Sequence, residues 1–197
     1  MNHYELNPAW YFIAPGLAWD GSLNFTKVQL ELLSDPDMLL MIGSGIRGGI
    51  ATISHRHAKT NNEYMGTEFD PAEETKFISY LDANNLYGWA MSKQLPTSGF
   101  KWMTDNELDD WKHLSCFLEV DLEYHEDLRD LHNDYPLAPE RIRIRNVEKR
   151  IPNLNNKTNY VVHYENLKFY ESQGLKITRF IEILNSKKVL GWKNTLI

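Results

Sequence analysis

The sequence predicts an α+β fold in which antiparallel strands pack against helices. Short segments with alternating apolar residues are typical of strands, and other segments carry apolar residues at helical spacing. The two kinds of segment do not alternate regularly along the chain, which favours antiparallel pairing over a parallel sheet. A chain of 197 residues with 42% hydrophobic residues can form one domain, or a piece of a larger one, with a buried core.

The first predicted elements are helical. Apolar residues at helical spacing run through residues 16–42, and Asp35-Pro36 interrupts them. A second short helix, Asp37 to Ile42, leads into the glycine-rich GSGIRGG. The next predicted strand is short, Ile50 to Ile53, and the polar residues 55–74 predict a loop.

The segment KFISYL, residues 76–81, alternates like a strand and precedes a third predicted helix. Asn84 or Asn85 can cap this helix, which would end before Pro96. A further short helix would be capped within residues 104–105.

The second half of the chain adds two strands and one helix. The alternation in residues 116–124 (CFLEVDLEY) predicts a strand, and the proline-containing residues 134–159 predict an irregular stretch. Residues 160–170 predict a helix that ends near Gly174, a residue suited to a helix C-terminus. The β-branched residues in 175–184 (LKITRFIEIL) predict another strand.

Composition excludes several classes of protein. The net charge of −6 leaves no global basic footprint, so any nucleic-acid contact must come from local patches. The single cysteine, Cys116, excludes an internal disulfide framework and a zinc site built on cysteines. The chain has no secretory signal pattern and no apolar run long enough for a membrane span, so we expect an intracellular protein without a membrane partner; nucleus, cytoplasm and mitochondrion are not distinguished. Residues 194–197 carry no cap or turn signal, and we expect the natural chain to continue.

Asp82 is the first candidate site residue. A carboxylate between the end of a strand and the start of a helix can bind a divalent cation, because Mg²⁺ prefers carboxylates together with water and phosphate oxygens. An aspartate in this position is more often the helix N-cap. The neighbouring asparagines can cap the helix equally well, so both interpretations stay open on the residues alone.

Two motifs add a resemblance to a known family. The stretch YLDANNLYGWAMS resembles motif A of family B DNA polymerases, D-x-x-S-L-Y-P, and Ile46-Arg47-Gly48-Gly49 stands where the protein-primed branch of that family has Y-x-G-G. The flanking APGLAWDGSL and NLNNKTNYVVHYENLKFYESQGLK resemble that branch too, which occurs in viruses, organellar linear plasmids and Maverick/Polinton elements. The resemblance implies part of a polymerase palm plus an inserted subdomain. It divides the chain into a helical tail of the exonuclease domain (residues 1–45), the junction and first part of the palm (46–104), and the remaining palm strand with an inserted subdomain like that which contacts a terminal protein (105–197).

The resemblance also implies roles for individual residues. Asp82 would be one of two catalytic aspartates that bind Mg²⁺ or Mn²⁺, with the Ala83 carbonyl as a further ligand. Asn85 and Leu86 would lie along the incoming dNTP, and Tyr87 would be the steric gate against ribonucleotides. The implied contacts with the DNA primer-template are Arg47, Gly48 and Gly49, together with Arg141, Arg143 and Arg145 of the basic stretch RIRIRNVEKR. A terminal priming protein is a further implied partner.

The chain departs from the family pattern in several places. Asn85 replaces the motif serine, Gly88 replaces the proline, and Ile46 replaces the tyrosine of Y-x-G-G. The second metal-binding aspartate, in a D-T-D motif, and the fingers motif K-x-x-x-N-S-x-Y-G are absent from these 197 residues. We therefore expect the two-metal site to be completed outside this chain, and the isolated chain to be inactive as a DNA polymerase.

Other interpretations of the same residues remain. The basic stretch at 141–150 can follow a phosphate backbone, or it can be an edge strand whose charges prevent sheet-to-sheet pairing. The chain can be a non-catalytic DNA-binding relic of a mobile element. A one-metal phosphohydrolase would need Asp121 or Glu123 beside Asp82, which requires residues 116–124 to pair with residues 76–81.

Overall fold

A computed structural model describes residues 6–104 and 110–189 of the protein. Its helices are α1 (Ala14–Thr26), α2 (Pro36–Gly45), α3 (Leu86–Met91), α4 (Asp127–Leu131) and α5 (Tyr164–Ser172), with 3₁₀ turns at Pro8–Trp10 and Glu63–Glu68. Its strands are β1 (Leu95–Trp102), β2 (Ser115–Glu123), β3 (Glu140–Ile144), β4 (Val147–Ile151), β5 (Lys157–His163) and β6 (Lys176–Val189). The fold is α+β, as the sequence predicts. Among the described residues no helix has the length and apolar character needed to cross a membrane.

The centre of the fold is a four-stranded antiparallel sheet in the order β1-β6-β2-β5. Strand β2 lies between two partners, and its alternating sequence buries one face, as the pattern of residues 116–124 predicts. Leu118, Val120 and Leu122 are buried there, and Leu167 of α5 and Ile183 of β6 belong to the same core. Each such leucine contributes roughly 1.5–3 kcal/mol through the removal of apolar surface from water.

The first two helices are separated by a longer non-helical segment, residues 27–35, than the apolar spacing predicts. Helix α1 ends before Lys27, which has a φ of 54°, in the left-handed region that often terminates helices. The apolar residues that follow it are therefore not helical. Helix α2 begins at Pro36, and the Asp35 carboxylate caps it by accepting a hydrogen bond from the Asp37 amide at 2.9 Å.

Two predicted strands do not form. Residues 76–81 make only an isolated bridge between Asn61 and Lys76, and residues 50–53 lie in no strand. The side chains of residues 77–81 are exposed on both faces, and Tyr80 is 94% exposed. Alternation within a segment does not make a strand unless a neighbouring strand supplies hydrogen bonds, and none among the described residues extends along this one.

Strand β5 and helix α5 correct the prediction of a helix over residues 160–170. Residues 157–163 pair with β2, where Tyr160 stands opposite Val120, so the helix begins only at Tyr164. The β-branched Val161 and Val162 suit a strand, and tertiary pairing overrides the helical pattern. Gly174 follows α5 with a φ of 98°, which matches its predicted place at the helix end.

Strand β1 is an element that the sequence pattern did not predict. Its pairing with β6 is interrupted by register shifts. Strand β1 lies at one edge of the sheet, where a proline such as Pro96 is tolerated. Residues 134–159, predicted to be irregular, contain the hairpin of β3 and β4. The helix predicted to start at residues 104–105 falls largely on residues 105–109, outside the described residues.

Candidate nucleic-acid interface

Asp82 lies in an exposed, extended segment that leads into α3. Its carboxylate makes no hydrogen bond or ion pair with the residues that the structure describes. The helix N-cap is Asn85, whose side chain accepts a hydrogen bond from the Gly88 amide at 3.1 Å. Asp82 is therefore not the cap, and the capping interpretation of this aspartate is wrong.

The two departures from motif A at positions 85 and 88 depend on each other. Asn85 has a φ of 55°, a left-handed conformation that asparagine tolerates better than most residues. A Cβ atom added to Gly88 would lie under 3.0 Å from the Asn85 amide group, so a larger residue would displace the cap. A proline at position 88 has no N–H and would remove the hydrogen bond itself. Asn85 and Gly88 thus form the N-terminal cap of α3 together, at the two positions where motif A has Ser and Pro.

The remaining nucleotide-site candidates are open to solvent. The Tyr87 side chain is 87% exposed, and Ala83 and Leu86 are exposed beside it. The described residues include no group of three or more His, Cys, Asp or Glu side chains that could hold a metal ion. The role of Asp82 as a metal ligand thus stays a prediction from the resemblance.

The condition for a one-metal phosphohydrolase is not met. Strand β2, which carries Asp121 and Glu123, is paired on one side with β5 and on the other with β6. Residues 76–81 thus cannot pair beside β2. Asp121 accepts a hydrogen bond from the Asn159 amide at 2.9 Å, and Glu123 lies 3.6 Å from the Lys176 ammonium group.

The segment Ile46–Gly49 follows α2 and lies against the edge strand β5. The Arg47 guanidinium sits over the Tyr160 ring, 4.1 Å from the ring centroid, and donates to the Gly45 carbonyl at 3.1 Å. Cation–π contacts of this kind contribute about 0.5–1 kcal/mol or more. Burial raises the pKa of Tyr160, so its ring meets Arg47 in the neutral form.

Arg150 of β4 contacts the same segment. Its guanidinium donates to the Gly48 carbonyl at 2.8 Å and to the Ile46 carbonyl at 3.4 Å. Arg150 and Gly48 are 102 positions apart in the chain. The fold therefore brings the glycine-rich segment and the basic hairpin together.

A groove of about 990 Å³ runs between α2, the hairpin and the face of the sheet. Three arginines line it: Arg47, Arg141 and Arg150. Glu119 and Glu182 line the sheet side, where they stand directly opposite each other on β2 and β6. Asp37 of α2 and Glu140 of β3 also line the groove, so it carries three arginines and four carboxylates.

The predicted DNA-binding arginines of the hairpin are all exposed, but they do not share one strand face. Arg141 and Arg143 alternate along β3, and Arg141 stands opposite Arg150. Arg145 lies in the turn: it and Asn146 have φ values of 46° and 66°, as a type I′ turn requires. Because β3 ends at Ile144, Arg145 does not lie on the strand face that Arg141 and Arg143 share.

The structure brings together only some of the predicted site residues. Arg47 and Arg141 line one groove, with Gly48 bonded to Arg150 at its side. The candidates of the motif A segment do not line that groove: Asp82, Ala83, Asn85, Leu86 and Tyr87. Gly49 is exposed, and a Cβ atom there would meet nothing within 4 Å.

A buried ion pair at the base of the hairpin has no sequence signal. The Lys157 side chain is fully buried, and its ammonium group donates to Glu140 Oε2 at 3.0 Å, to the Asn153 side chain at 2.5 Å and to the Asn153 carbonyl at 3.2 Å. Burial lowers the pKa of Lys157, and the Glu140 carboxylate acts in the opposite direction. All three N–H donors of the lysine are thereby satisfied.

Comparison of the chain with protein-family models, with curated proteins and with solved structures finds no match. The likeness to a polymerase therefore depends on the motif residues alone.

Proposed function

We propose that this chain is part of a protein-primed family B DNA polymerase, and that the arginines at the hairpin side of its groove contact the backbone of a DNA primer-template. The observation that carries the proposal is the contact of Arg150 with the Gly48 and Ile46 carbonyls. The sequence indicates phosphate contacts at two distant places, the Arg47 segment and the basic hairpin. Their meeting at one groove is what a continuous backbone contact needs.

The motif A segment would supply this chain's share of the nucleotide site. Asp82 and the Ala83 carbonyl would be ligands of Mg²⁺, which when bound stabilises charge on the reacting phosphate. Tyr87 would lie under the deoxyribose, and Asn85 and Leu86 along the triphosphate. The second aspartate would come from outside this chain, so these 197 residues alone would bind DNA and add no nucleotide.

Non-catalytic DNA binding is the second candidate. It is favoured by one contrast: the groove is lined by described residues, while Asp82 belongs to no group of three or more possible metal ligands among them. The acidic sheet side of the groove limits how deeply a phosphate backbone can enter. Both candidates place DNA along the hairpin and the Arg47 segment.

The test combines DNA binding with nucleotide incorporation. The chain's affinity for primer-template DNA is measured across a salt series, for the natural sequence and for Arg47→Met. Loss of one phosphate contact should reduce the slope of log K against log salt by about 0.9. Arg179→Met removes an exposed arginine of β6 and serves as the control, with the slope unchanged. An unchanged slope for Arg47→Met would exclude the backbone contact.

Incorporation is measured in a chain extended through the D-T-D and fingers motifs. Asp82→Asn should abolish incorporation and leave DNA affinity near normal, since the carboxylate would hold the metal and not the DNA. Incorporation surviving at a substantial level would remove the metal role. Normal DNA binding with no incorporation in any extended chain would favour the non-catalytic candidate.

A further inference from the structure

Arg150 differs from the other arginines of the hairpin in its contacts. Two of its guanidinium nitrogens donate to backbone carbonyls of the Ile46–Gly49 segment. The third, Nε, is buried and has no partner among the described residues. Arg141, Arg143 and Arg145 are instead exposed, and Arg141 lies 3.8 Å from the Glu148 carboxylate.

The position of Arg150 is energetically costly in two respects. A buried N–H without a partner is unfavourable, because it has given up its hydrogen bond to water. Arg141 stands directly opposite Arg150 in the β3–β4 pairing, where like charges repel, and Glu148, 3.8 Å from the Arg141 guanidinium, offsets part of that repulsion. A phosphate bound at this pair of arginines would offset the repulsion that Glu148 leaves.

The hairpin that carries Arg150 is also fixed at its base. Glu140, the first residue of β3, pairs with the buried Lys157 of β5, and Asn153 donates to the same carboxylate at 2.8 Å. Lys157 and Arg150 thus hold the hairpin at two points, one on the sheet and one on the segment after α2. The second point lies on the carbonyls that flank Arg47 in the chain, those of Ile46 and Gly48.

We propose that Arg150 is a positioning residue that couples the basic hairpin to the Arg47 segment, so that both bind phosphates of one DNA strand as a single unit. This inference rests on the proposed function, because it concerns the same DNA. Removing Arg150 removes the hydrogen bonds to the Gly48 and Ile46 carbonyls, so that Arg47 is no longer held in place relative to Arg141. DNA affinity then falls because the arginines that contact DNA are less well positioned, and not because Arg150 itself loses a contact with DNA.

A double-mutant cycle on primer-template binding tests the coupling. Arg47→Met and Arg150→Met should each weaken binding by about tenfold, and the double variant by much less than the hundredfold that independent effects would give. Independent effects, multiplying to about a hundredfold, would overturn the inference. Arg150→Lys keeps a donor for one carbonyl and should restore part of the affinity. A lysine that restores none of it would also count against positioning, provided that the variant is folded.

Lys149→Met is the matched control. It removes one positive charge from the same strand, at a residue exposed on the other face and opposite Ile142. Its effect on DNA affinity should be small and should multiply independently with that of Arg47→Met. A coupling of Lys149 as large as that of Arg150 would reduce the effect to general hairpin charge and contradict the proposal.

A second measurement needs no DNA. The Gly49 N–H belongs to the same peptide group as the Gly48 carbonyl, which accepts the hydrogen bond from Arg150. Its NMR resonance should therefore shift in Arg150→Met and stay unchanged in Lys149→Met. An unshifted resonance in Arg150→Met would overturn the inference even if DNA binds. If the natural chain binds no DNA while the resonance shifts as expected, the contact stands and the proposed function fails. The two failures are therefore distinguishable.

Discussion

His163, the last residue of β5, shows how a single side chain ties stability to pH. Its ring packs edge-on against Phe117 at 5.4 Å and against Tyr164 at 4.6 Å between ring centroids. Burial lowers the pKa of His163 from its ordinary value of 6.5; Glu165 opposes this shift and Lys188 adds to it. The folded state therefore disfavours the protonated ring.

The sign of the pH effect follows from that lowered pKa. The unfolded chain protonates His163 near pH 6.5, at which the folded chain still resists the proton, so the free energy of unfolding falls as pH drops below about 6.5. His163→Gln should flatten this dependence between about pH 7.5 and pH 5. Urea unfolding at a series of pH values measures it. His57→Gln, in an exposed loop, is the control and should keep the natural slope.

A neighbouring carboxylate sets the lower limit of that measurement. The hydrogen bond from Tyr164 lowers the pKa of Glu165 below its ordinary value of 4.5, so its stabilisation is lost only in more acidic solution. A slope that His163→Gln leaves intact above this range would assign the acid sensitivity to another group.

At the scale of an element, the β3–β4 hairpin depends on one buried ion pair. Breaking a buried pair leaves the remaining charge in a poor environment, although Glu140 is 27% exposed and keeps the Asn153 donor. Lys157→Met should therefore destabilise the protein by about 1–3 kcal/mol. Chemical denaturation measures the loss, and faster amide exchange in β3 and β4 than in β2 would locate it.

A second substitution separates the charge from the packing. Glu140→Gln added to Lys157→Met removes the unpaired carboxylate and should recover part of the lost stability. Lys176→Met, which breaks the exposed pair with Glu123, should cost less than about 1 kcal/mol. Equal losses from Lys157→Met and Lys176→Met would show that burial of the pair does not matter.

Elements with strong local signals were predicted well. Strand β2 follows from its alternation, α2 contains the predicted helix of residues 37–42, and the cap of α3 follows from the asparagine pair, of which Asn85 is the cap. The predictions are wrong where strand formation depends on pairing with a distant segment. Residues 76–81 alternate as well as β2 does, yet only β2 has strands on both sides.

At the scale of the whole molecule, the buried core and the motif A segment lie apart. The core is built on β2, β5, β6 and α5, while the apolar side chains of residues 77–81 remain in solvent. The folded state of the described residues thus gains little from that segment. Stability and the proposed nucleotide chemistry are carried by different parts of the chain.

Two substitutions test this separation. Leu118→Ala, in the fully buried centre of β2, should destabilise the chain by about 2–5 kcal/mol through lost burial and the cavity left behind. Tyr80→Ser, at a residue 94% exposed, should change the free energy of unfolding by less than about 0.5 kcal/mol. Thermal unfolding compares them. A large loss in Tyr80→Ser would mean that the segment packs against the fold in solution.

Local sequence was sufficient to predict the fold class, the central strand β2, a second short helix and the capped helix after Asp82, because these depend on contacts between residues close in the chain. It also contains the residues that resemble a polymerase motif. The folded structure was needed to show that Arg150 donates to Gly48, that Lys157 and Glu140 join the hairpin to the sheet, and that residues 76–81 have no neighbouring strand among the described residues. Such pairings join positions far apart in sequence, and their energies depend on which surfaces the folded chain brings together.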